Sequence, residues 1–123
     1  DMGNHSLSGT LATIANGGRI ILSNTGATPI PSGKTWNGTV EYAAASGGHT
    51  VVSGTHQHLS FSNTSGTNTA GGNISVSGTL TNPANCIFDL STYTLSGSLA
   101  TITNNGTIRT SSTAATPLPT GET

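Results

Sequence analysis

Residues 6–35, SLSGTLATIANGGRIILSNTGATPIPSGKT, return at 94–123 as TLSGSLATITNNGTIRTSSTAATPLPTGET, at an offset of 88 with no gap and with 18 of the 30 positions identical. The correspondence runs upstream too, since Asp1, Met2 and His5 fall on Asp89, Leu90 and Tyr93. Self-similarity at a fixed offset is the signature of tandem architectures, in which each unit buries its apolar side against the next. The chain therefore reads as a single solenoid segment over 1–123, with one full period at 1–88 and the start of another at 89–123.

Helical periodicity is sustained nowhere. Short alternating runs such as NISVSGTL, HLSFS and CIFDL sit between Gly- and Asn-rich corners such as NGG, SGG and TNPAN, which is the pattern of brief strands joined by tight bends. The alternation places Ile74 and Val76, and Leu59 and Phe61, on one side of their strands. SG or NG steps at Gly9, Gly38, Gly54, Gly78 and Gly97 divide the period into four rungs of about 22 residues, which at about 4.8 Å per rung is roughly 19 Å of rise. The stretch SNTGATPIPSGK is expected as a loop thrown out from the coil, because Pro29 and Pro31 cannot donate ladder hydrogen bonds.

Composition agrees with order of this kind. Thr, Ser, Gly and Asn supply 67 residues, while Leu, Ile, Val and Phe supply 23. Such a low apolar share normally raises disorder, but disorder also draws on a large net charge, and here three basic residues face four acidic ones. Thr suits a pleated surface, and Asn and Gly suit corners. The expected fold is all-β, a right-handed parallel β-helix or β-solenoid. Arg19, Lys34 and Arg109 are scattered, so nucleic acid and anionic membranes are not expected partners. No apolar run long enough for a membrane helix occurs.

The segments NGGRIILSNTGATPIPSGKTWNGTVEYAAASGGHTVVSGT and LSFSNTSGTNTAGGNISVSGTLT resemble the Thr/Ser/Gly/Asn-rich repeats of large secreted bacterial β-solenoid proteins, adhesin-like surface proteins among them. The resemblance implies a long extracellular stalk and brings no catalytic or binding motif with it.

An enzyme of the polysaccharide-cleaving kind requires paired carboxylates. The acids are Asp1, Glu41, Asp89 and Glu122. Asp1 and Asp89 are one position in successive periods and point to a corner, Glu122 corresponds to Lys34, and Glu41 stands without a partner, so no catalytic residue is expected. His56 and His58, two apart, would share one face of an extended strand and could approach a metal, but neither His49 nor Cys86 is fixed as a third ligand. The expectation is outward-facing histidines and no metal or cofactor. Cys86 in NCIFDL reads as a buried small thiol.

Thr-x-Thr steps at Thr67/Thr69, Thr79/Thr81, Thr92/Thr94 and Thr101/Thr103 invite an ice-binding reading, yet consecutive pairs are too close together to fall once per rung. Trp36, Tyr42, Phe61 and Tyr93 would form a sugar-stacking platform if they lay outward, although so few aromatics more often anchor a core. Asn-x-Ser/Thr triplets begin at Asn4, Asn37, Asn63, Asn73 and Asn105, as a chain this rich in Asn, Ser and Thr produces without selection for glycans. The expected role is a structural repeat of a secreted or cell-surface stalk, adhesin or filament, partnered head to tail by copies of itself. A carbohydrate-binding module, with ice as a more remote ligand, is the alternative.

Overall fold

The computed structural model describes residues 1–12 and 14–120. It holds ten strands: β1 Arg19–Leu22, β2 Lys34–Tyr42, β3 Thr50–Val51, β4 Gly54–Phe61, β5 Gly66–Ala70, β6 Ile74–Asn82, β7 Cys86–Asp89, β8 Leu95–Ser96, β9 Thr101–Asn104 and β10 Thr107–Arg109. Every pairing between them is parallel. One sheet runs β1-β2-β4-β6-β8, with β9 also on β6, and the other runs β10-β7-β5-β3. The chain is a parallel β-solenoid of about 5 turns with about 20 residues in each.

The long strands β2, β4 and β6 each bend in the middle. Inward positions alternate up to Trp36, His56 and Val76 and resume at Val40, Leu59 and Leu80, and the pairing register slips between Trp36 and Thr39 and between His56 and His58. The bend is made by two residues in β2 and β6, Asn37–Gly38 and Ser77–Gly78, but by Gln57 alone in β4. Gln57 makes up the shortage, because its Oε1 accepts the Gly38 amide at 2.7 Å. Each turn thus has three sides, two from the halves of a long strand and one from the second sheet.

Side chains of successive rungs stack inside in columns: Trp36–His56–Val76, Val40–Leu59–Leu80–Ile102 and Leu22–Tyr42–Phe61. Phe61 and Phe88 meet across the interior with ring centroids 4.9 Å apart. A core this narrow leaves little apolar area per residue, and inward Asn fills part of it. Asn68 Nδ2 donates to Asn63 Oδ1 at 2.9 Å, and Asn82 Nδ2 to Asn104 Oδ1 at 2.8 Å. This pairing satisfies the buried amide nitrogens, each of which would cost about 1–3 kcal/mol if left without a partner.

Three expectations are corrected. The turn is nearer 20 residues than 22, and the SG/NG steps do not all mark one place: Gly38 and Gly78 lie at the mid-strand corner, Gly97 stacks on Val76 just before it, and Gly54 opens β4 opposite Lys34. The Pro29–Pro31 stretch is not thrown clear either. Residues 25–28 are exposed, but Pro29 and Ile30 are buried, and the Pro29 carbonyl accepts the Leu7 amide at 2.9 Å. Proline lacks a donor, not an acceptor, so one side of the ladder survives it.

Candidate functional site

The histidines part company. His56 is fully buried between Trp36 and Val76, and its Nε2 lies 3.1 Å from the Val52 carbonyl, to which it donates. His58 faces outward, with Nδ1 2.8 Å from Thr79 Oγ1. The single-residue corner at Gln57 reverses the alternation between them, so they share no face and no metal. This corrects the expectation of an outward pair. His49 is buried as well: Nδ1 lies 3.0 Å from the Asn24 carbonyl and Nε2 accepts the Ala44 amide at 2.8 Å. Those two bonds require the neutral ring with its proton on Nδ1. Burial lowers the pKa of both His49 and His56 below the usual imidazole value, against the raising effect of their carbonyl partners. Among the described residues, no three His, Cys, Asp or Glu come together as metal ligands.

The carboxylates are tied into the scaffold. Glu41 pairs with Arg19 at 2.9 Å and Asp89 with Arg109 at 2.7 Å, each across one rung. The Arg109 hydrogen bond, with the Ser91 amide after it, holds Asp89 below the usual carboxylate range. Asp1 and Asp89 each accept the amide two residues on, both at 2.8 Å. Glu122 lies outside the described residues. Among the described residues no two carboxylates are brought together as an acid–base pair. Cys86 is buried, donates Sγ–H to the Asn63 carbonyl at 3.1 Å, and has its thiol pKa pushed up by burial.

The aromatic platform does not form. Trp36 and Tyr42 are fully buried and Phe61 is 2% exposed, while Tyr93 is exposed at 38%. Tyr42 points its hydroxyl at the Val52 amide, 3.0 Å away, and desolvation raises its pKa.

What the solenoid does present is hydroxyl in register. Thr35, Thr55, Ser75 and Ser96 stack in one outward column. Around the corner stand Thr39, His58, Thr79 and Thr101 beside Glu41, Ser60, Thr81 and Thr103. The Thr79/Thr81 and Thr101/Thr103 steps therefore do align, one rung apart, contrary to the expectation from their spacing; below them His58 and Glu41 interrupt the array. Along the corner itself runs an open groove lined by Asn16, Asn37, Gln57 and Ser77. Gln57 was not singled out from sequence; the signal available was HQHLSF, where one residue stands for the two of WNGTV and VSGTL. In comparisons with known proteins, no family model, no curated protein and no solved structure matches the chain.

Proposed function

We propose that the chain is a structural repeat of an extracellular or cell-surface β-solenoid stalk, adhesin or filament and that it performs no catalysis. One observation carries this reading. Hydrogen bonds recur across the two copies of the repeated stretch, as with Met2 N to Ile21 O and Leu90 N to Arg109 O, both 2.9 Å, and Leu7 N to Pro29 O and Leu95 N to Pro117 O, both 2.9 Å. A unit that rebuilds its own surroundings at every recurrence is suited to extension. The resemblance to secreted adhesin-like repeats supports the location, and the polar outward columns suit a surface that must not associate sideways. Among the described residues the carboxylates are engaged with arginines or with corner amides, and they lend catalysis no support.

Electron microscopy of the intact protein that carries this chain tests the proposal. Elongated particles with an axial spacing near 4.8 Å are expected; compact particles would overturn it. The carbohydrate alternative now rests on the hydroxyl columns and on Tyr93. A saturable glycan-array signal that Tyr93→Ala abolishes, with the fold intact by circular dichroism, would displace the structural reading.

A further inference from the structure

We infer that one 88-residue period winds about four and a third turns, so that each successive period in an array is carried round by one side of the coil and shows its outward features on three sides in turn. The inference takes from the stalk reading only that periods follow one another.

Four turns carry one stacked column from Ile21 through Glu41, Ser60 and Thr81 to Thr103. The sequence counterpart of Ile21 is not Thr103 but Arg109, six residues further on. Arg109 stands in the other sheet, in the column Thr50–Thr69–Asp89–Arg109. The strand Arg19–Leu22 of the first copy thus lies in the sheet of the long strands, whereas its counterpart β10 in the second copy lies in the sheet of the short ones.

Hydrogen bonds and backbone angles nevertheless recur between the two copies. Ser23 N donates to Gly3 O at 2.9 Å and Ser111 N to Ser91 O at 2.8 Å. Gly3 and Ser91 share φ 53°, and Gly9 and Gly97 have φ 116° and 113°. Register in a parallel ladder is fixed between neighbouring rungs, and nothing ties the sequence period to a whole number of turns. A fractional period costs no contact, because each residue keeps its partners above and below while the side it faces changes.

The same equivalence identifies what the last rung receives. Residues 94–120 repeat 6–32, and on β1 of that earlier rung lies Thr39–Tyr42. The free edge of β10 is therefore the docking surface for the Thr39–Tyr42 segment of another copy of the repeat. Leu118, 38% exposed, and the partly buried Ile102 and Ile108 lie on this last rung. One period then rises about 21 Å in place of about 19 Å, and the same side returns only after three periods and thirteen turns, about 62 Å on. A ligand held by the corner groove would be presented all round such a stalk.

Pulsed electron–electron resonance on the whole chain tests the winding. Spin labels at Ala27→Cys and Ala115→Cys, both exposed, with Cys86 left in place as a buried thiol, should lie about 29 Å apart: about 21 Å along the axis and about 20 Å for one side of about six residues. A separation near 20 Å, the value for copies directly above one another, would overturn the inference. Ser8→Cys with Ser96→Cys gives a second pair with the same expectation. Docking is tested by lengthening the chain with a further copy of residues 36–123 and labelling the second and third occurrences of the motif. The same sharp distance is expected, and a broad distribution would overturn the assignment of the docking edge. Compact particles in microscopy, with these distances intact, would remove the stalk role and leave the winding standing.

Discussion

His49 and His56 make the solenoid sensitive to acid. Each is held neutral in the folded chain, with its pKa lowered by burial, whereas in the unfolded chain it takes a proton near pH 6.5. The unfolded state therefore binds more protons as pH falls, and stability present above pH 6.5 is lost below it, at up to about 1.4 kcal/mol per pH unit for each ring. Thermal unfolding at pH 7.5 and pH 5 should show a clear drop in midpoint, and His56→Leu should flatten it; a midpoint that stays level would contradict the buried neutral rings. Gly97 makes a second case at this scale. With φ 113°, a Cβ there would collide with the Val76 carbonyl oxygen, whereas at its counterpart Gly9, φ 116°, nothing lies within 4 Å. Gly97→Ala should cost at least about 2 kcal/mol and Gly9→Ala clearly less, by denaturant titration. Equal losses would mean that backbone conformation alone, without the rung beneath, sets the cost.

Among elements, the bent strand decides what could be read from the sequence. Short strands, Gly and Asn corners and a long offset repeat were enough for a parallel solenoid, because each follows from local propensity or simple self-comparison. Inward positions within straight stretches were legible for the same reason, as Ile74 and Val76 show. The inward place of Leu59 and Phe61 was legible too, but the parting of His56 from His58 was not, since it turns on whether a corner holds one residue or two, and a side-chain amide can replace the missing one. Gln57→Ala should therefore cost about 1 kcal/mol and speed hydrogen exchange at the Gly38 amide, while Gln57→Glu, which keeps an acceptor, should lose less. Unchanged exchange at Gly38 in the alanine variant would show that the corner holds without it. The burial of Pro29 and Ile30 was not legible either, because proline lacks only a donor and its carbonyl still joins the ladder.

At the scale of the molecule, stability is spread along the coil as neighbour terms, and the end rungs lack one neighbour each. Lengthening the chain by one period should raise the thermal midpoint by at least about 4 °C, because former end strands such as β10 acquire a partner; an unchanged midpoint would show that the rungs do not support one another. The hydrogen bonds between rungs all lie along the long axis, and this bears on mechanics. A pull on the two termini loads the outermost ladder alone, and each turn that peels away releases about 20 residues, roughly 65 Å of slack. Tension would then be met by a succession of small yielding steps, a tether that lengthens under shock and recoils when the load passes.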